Sequence, residues 1–109
     1  MKAIVIDPGF EPVVKTVPDG QQALDALCGG LTTLLRFPLD TAGLLYLESG
    51  RERGLAQNRR FRGQWYYGRM LVVGVTASGL CSLTPEQQDR YLQKFQSAEV
   101  PWEKVRWPE

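Results

Sequence analysis

At 109 residues, with 43% apolar and 23% charged residues and a net charge of +1, the chain reads as one globular domain of ordinary composition. It contains no histidine, which removes the Ser-His and Cys-His dyads, histidine metal ligands and the commonest general base. Near-neutral charge excludes a DNA mimic, and no apolar run approaches the ~20 residues that span a bilayer.

The chain opens with KAIVID (residues 2–7), β-branched and apolar, stopped by Pro8 and Gly9; this predicts a buried strand. It is too short for the apolar core of an export signal, so a cytoplasmic protein is expected. Residues 11–17 (EPVVKTV) alternate more weakly and predict a second strand, with Pro12 placing its start at a sheet edge. Asp19 and Gln22 have the spacing of a capping box, which predicts a helix with Ala23, Leu24, Leu27 and Cys28 on one face. Gly29 and Gly30 end it by supplying a left-handed residue.

Residues 31–37 and 44–48 predict two strands joined by a turn too short for a crossover helix, hence an antiparallel hairpin. Residues 51–62 show no useful periodicity and predict a surface loop, with one helical turn near Leu55. Residues 64–67 (QWYY) predict a short strand. Residues 69–76 hold the longest apolar run, MLVVGVT, and predict the central strand, with Gly74 marking a bulge or a close backbone approach. Residues 80–83 give a last short strand. Thr84, Pro85 and Gln87 form a strong helix start, with Tyr91, Leu92 and Phe95 facing inward.

The expected fold is therefore α+β, a small and mostly antiparallel sheet of about five to six strands with two helices. Residues 1–96 form the domain. Residues 97–109 form a tail rich in proline and charge, carrying Trp102 and Trp107. That tail is either a strap over the core or an end that orders on a partner. Cys28 and Cys81 match no metal spacing and are expected as reduced, small apolar residues.

The conspicuous stretch is residues 51–69, with six arginines against one acid, Glu52. A guanidinium fork holds phosphate or carboxylate through paired bonds, and its plane stacks on aromatic rings. Arg51, Arg53, Asn58, Arg59, Arg60, Arg62, Trp65, Tyr66 and Arg69 are thus candidates for a partner- or anion-binding surface. A plainer reading uses Arg59 or Arg60 to tie the loop to carboxylates such as Asp7 or Glu48, and leaves Arg51 and Arg53 in solvent. Strand alternation sets Trp65 and Tyr67 opposite Tyr66, so at least one of these rings belongs to the core. Trp102 and Trp107 form a second candidate interface. No catalytic constellation, cofactor motif or metal site is expected. Asp7 lacks the companion carboxylates that a magnesium site needs.

Taken together, the MKAIVIDPG opening, the Gln57-Asn58-Arg59-Arg60 segment, the stretch from Gly68 to Gly74 and the closing LTPEQ resemble a family of short phage, plasmid and bacterial accessory proteins known as a domain of unknown function. The resemblance covers residues 1–96. It implies a non-enzymatic accessory protein of a mobile element, with counter-defence as its role and a host defence protein or ribonucleoprotein as its partner. Inhibition of a type II CRISPR effector is the sharpest version. The alternatives are a sponge for a nucleotide signal, a small nucleic-acid-binding module, and an adaptor anchored by the tail tryptophans.

Overall fold

The fold is built around β7 (Met70–Thr76), the strand with the longest apolar run, six of whose seven residues are buried. The computed structural model describes residues 1–100. On one edge β7 pairs with β4 (Ala42–Leu47), through Leu44↔Val72 and Ala42↔Gly74. Its other edge is shared end to end. β1 (Lys2–Ile6) pairs along Met70 to Val72, and β8 (Gly79–Cys81) pairs along Gly74 to Thr76. Outside these lie β2 (Val13–Thr16) against β1 and β3 (Thr32–Arg36) against β4. The sheet has six strands, and all these pairings are antiparallel. A separate antiparallel pair, β5 (Gln57–Phe61) and β6 (Gln64–Tyr67), forms a second small sheet.

Because side chains alternate across a strand, the large sheet feeds two cores. Ile4, Ile6, Leu44, Met70 and Val72 pack on one face beneath Phe61 of β5, Tyr66 of β6 and helix α2 (Pro85–Lys94), with Tyr91, Phe95 and Val100. Phe37 stacks on Tyr91 at 4.7 Å and meets Phe61 edge-on at 6.0 Å. Ala3, Val5, Leu45, Leu71 and Val73 pack on the other face beneath helix α1 (Gln21–Cys28), through Leu24 and Cys28. Full burial of each Val, Leu, Ile, Phe or Met among them is worth roughly 1.5–3 kcal/mol. Both cysteines are free thiols, Cys28 buried and Cys81 half-buried.

Helix α2 starts as its sequence dictates. Thr84 accepts from the Gln87 amide and the Gln87 side chain returns to the Thr84 amide, with Pro85 in the first turn. Helix α1 does not. Gly20 occupies its N-cap with no side-chain bond, and Asp19 lies against Met1, its Oδ1 3.5 Å from the amine. The expected capping box is replaced by contacts between the ends of β1 and β2, since Met1 and Val17 also exchange backbone hydrogen bonds. The C-terminus of α1 does close on left-handed Gly29. At Gly74 the close approach is real: a Cβ there would stand 2.7 Å from the Ser82 carbonyl oxygen.

Residues 51–62 depart most from expectation. Residues 51–54 and Arg62 are turn; Gln57–Phe61 is strand β5, with Asn58, Arg59 and Phe61 buried. The register shifts between Gln57 and Arg59, so two successive polar side chains turn inward. Segment 98–100 then runs parallel to β5. The Arg60 amide donates to the Ala98 carbonyl (2.6 Å), and the Val100 amide donates to the Arg60 carbonyl (2.8 Å). No helix among the described residues is long and apolar enough to cross a membrane.

Candidate functional site

The arginine-rich stretch does not fold into one basic face. Asn58 is 3% exposed, and its Nδ2 donates to the Ile6 carbonyl (2.8 Å) and the Gly68 carbonyl (2.7 Å). It clamps the small sheet to the end of β1. Its Oδ1 accepts from Arg59 Nη1 at 2.9 Å. Arg59, also 3% exposed, donates from Nε to the Phe95 carbonyl (2.8 Å) and from Nη2 to the Phe10 carbonyl (2.6 Å). The Phe95 carbonyl closes helix α2, where a cation suits the helix dipole. Burial pushes the Arg59 guanidinium below its usual affinity for a proton.

Arg69 lies elsewhere. It forks onto Asp7, Nε to Oδ1 at 2.7 Å and Nη2 to Oδ2 at 3.2 Å, and reaches the Leu27 carbonyl (3.3 Å). That hydrogen-bonded carboxylate pushes the Arg69 guanidinium above its ordinary value. The expected tie to Asp7 thus exists, made by Arg69 and not by Arg59 or Arg60. Arg53 caps α1 by donating to the Gly29 carbonyl (2.9 Å). Arg60 is exposed and 3.7 Å from Glu99. Arg62 takes a left-handed backbone at the β5–β6 turn, with its guanidinium 4.9 Å from the Phe61 ring centre. Tyr66 is core, edge-on to Tyr46 at 4.8 Å, which assigns the inward ring of the QWYY strand.

Arg51 and Trp65 remain on one surface. Both line a groove of about 700 Å³ between the end of β4 and the β5–β6 hairpin, with Tyr46, Glu48, Glu52 and Tyr67. Trp65, Tyr46 and Tyr67 are half-buried, and Arg51, Glu48 and Glu52 are exposed. Among the described residues, none of those three charged groups forms an ion pair. Burial, and then the nearby Glu48 charge, push the Tyr46 phenol above its ordinary value. Sequence reasoning misses Tyr46, Glu48 and Glu52 as groove residues. Alternation along β4 places Tyr46 on the same face as Leu44, but nothing local says that the hairpin lies over it. Trp102 and Trp107 lie outside the described residues.

A second polar cluster has no signal in the sequence at all. Asp40, in the β3–β4 turn, accepts from Arg90 Nη1 (2.6 Å), Gln87 Nε2 (2.8 Å), the Thr41 amide (2.7 Å) and the Tyr91 hydroxyl. Burial raises the Asp40 carboxyl, but the bonds from Tyr91, Gln87 and Thr41 and the Arg90 charge outweigh it. The carboxyl is held below its usual range. The cluster pins α2 to the hairpin.

A family model for a domain of unknown function, DUF3846, matches residues 1–96. The chain belongs to the DUF3846 family. No curated protein and no solved structure matches it. The DUF3846 match includes the groove, every described candidate residue and both cores except Val100. It stops at Gln96, whereas the hydrogen bonds onto Arg60 continue to Val100.

Proposed function

We propose that this DUF3846 domain is a non-enzymatic binding module whose working surface is the groove between β4 and the β5–β6 hairpin. The observation that carries the reading is a division of labour. Asn58 and Arg69 are consumed by the fold, whereas Arg51, Glu48 and Glu52 line the groove with half-buried Trp65 and Tyr67 and have no ion-pair partners among the described residues. Tryptophan, tyrosine and arginine in a concave patch are the residue types that dominate binding energy when a partner excludes water from them.

The charge balance favours a protein or nucleoprotein face. Glu48 and Glu52 flank the one arginine, so the groove lacks the surplus positive charge that phosphate-led binding needs. A nucleotide sponge or single-strand binder is correspondingly disfavoured. The sharpest form of the proposal is counter-defence: a cytoplasmic mobile-element accessory protein that inhibits a type II CRISPR effector. Its support is the resemblance of the sequence to such accessory proteins.

The test is target-DNA cleavage by a guide-loaded type II effector, with wild-type protein, Trp65→Ala and Arg51→Ala. Inhibition by the wild type, weakened about tenfold or more by Trp65→Ala in a variant that still melts cooperatively, supports both parts. Inhibition untouched by either substitution removes the groove from the reading. No inhibition across several effectors removes the counter-defence form.

A further inference from the structure

Among the described residues, Arg59 is a buried positive charge without a negative one. Its acceptors are all neutral: the carbonyls of Phe95, Phe10 and Asn58, and the Asn58 amide oxygen. No carboxylate among the described residues pairs with it. Arginines that are much more exposed do have carboxylates, Arg69 on Asp7 at 2.7 Å and Arg90 on Asp40 at 2.6 Å. An unneutralised guanidinium in a water-poor site is costly, and such groups are ordinarily paired.

The guanidinium also has a spare donor. It carries five N–H groups, and its bonds from Nε, Nη1 and Nη2 use four. The fifth is on Nη2. The bond from Nη2 to Phe10 is the partly exposed one, while those from Nε and Nη1 are buried. Phe10, the residue that Nη2 bonds, and Arg59 both line a cleft of about 460 Å³, together with Glu11, Gln57, Trp65 and Gln96. Phe10 is 71% exposed, an aromatic ring standing free at the mouth. The Trp65 indole N–H has no acceptor among the described residues.

We propose that this cleft is a carboxylate site, in which a ligand or partner supplies the countercharge that Arg59 lacks, with its apolar stem against Phe10 and Trp65. The site is separate from the groove proposed above, although Trp65 forms a wall of each. A carboxylate fits better than a phosphate. One spare N–H on one guanidinium suits a single negative charge, and the Glu11 carboxylate at the rim repels a dianion more than a monoanion. The carboxylate comes either from a free small acid or from an acidic side chain of a protein.

The experiment follows the Arg59 Nε–H and the Gly9 and Phe10 amides by nitrogen-15 NMR of the intact chain. Acetate, a blocked glutamate dipeptide and inorganic phosphate are titrated at constant ionic strength against chloride. Acetate or the dipeptide is expected to move these signals saturably, and whichever binds tighter identifies the source. Glu11→Gln, an exposed position, is expected to tighten the midpoint about two- to threefold by removing a like charge from the rim. Absence of a saturable shift in both wild type and Glu11→Gln up to about 0.1 M, where even a very weak site fills, overturns the proposal. Tighter binding of phosphate than of acetate also overturns it.

Discussion

Replacing Asn58 with alanine tests whether one buried amide holds the two sheets together. Asn58 makes three side-chain bonds: to the Ile6 carbonyl (2.8 Å), to the Gly68 carbonyl (2.7 Å), and from Arg59 Nη1 (2.9 Å). Each net bond is worth about 1 kcal/mol, and each buried group left without a partner costs about 1–3 kcal/mol. Partial relaxation and water entry offset some of this, so the expected loss is about 3–4 kcal/mol. For a domain with roughly 5–15 kcal/mol of stability that is a large share. In urea, with a slope of about 1–1.5 kcal/mol/M for a small domain, the midpoint falls by about 2–4 M. Equilibrium urea unfolding, followed by tryptophan fluorescence and by circular dichroism, measures it. Gln57→Ala, an exposed neighbour on the same strand, serves as control and loses under about 0.5 kcal/mol. A loss below about 1 kcal/mol for Asn58→Ala, at unchanged slope, refutes the clamp.

Asp40 has a carboxyl held below its ordinary value of 3.8. The stability it contributes is therefore fully present above about pH 4 and is lost as pH falls through the lower folded value. Asp40→Asn lowers stability at pH 7 and flattens the acid limb, as urea midpoints at pH 7 and at about pH 3 will show; an unchanged acid limb contradicts the assignment. Of the two thiols, Cys28 is buried, and that burial pushes it up to about 11. Thiol reagent at pH 8 is expected to label half-buried Cys81 first and Cys28 only as the chain unfolds. Equal labelling rates on the folded chain contradict the packing of α1.

Features encoded by neighbouring residues are legible in the amino-acid sequence itself. The capping box at Thr84, the Gly29 helix end, the β3–β4 hairpin and the central place of MLVVGVT each depend on a few adjacent residues, and each is found. The α+β class and the two-helix count follow from them. Asn58 and Arg59 are legible only as polar types, and polar residues ordinarily face water. Their burial depends on Ile6, Phe10, Gly68 and Phe95, most of them far away in sequence, and on a register shift that periodicity does not reveal. Strand β5 resembles a loop for the same reason: QNRRF has no apolar alternation, because its buried positions are filled by hydrogen-bonding groups. Asp19 shows the converse failure. A correct local signal for a helix cap loses to a tertiary contact at Met1.

The pairing of residues 98–100 with β5 also sets a rule for handling the molecule. The family match ends at Gln96, and a truncation there looks harmless on paper. It would remove the Ala98 and Val100 partners of Arg60, uncover an edge of the small sheet, and take away Val100, which is 2% exposed within the core. A bared strand edge invites pairing with other chains. A shortened protein that precipitates or fails to bind would then report a damaged scaffold, and nothing about what the tail recognises. Cuts intended to probe the tail belong after Val100.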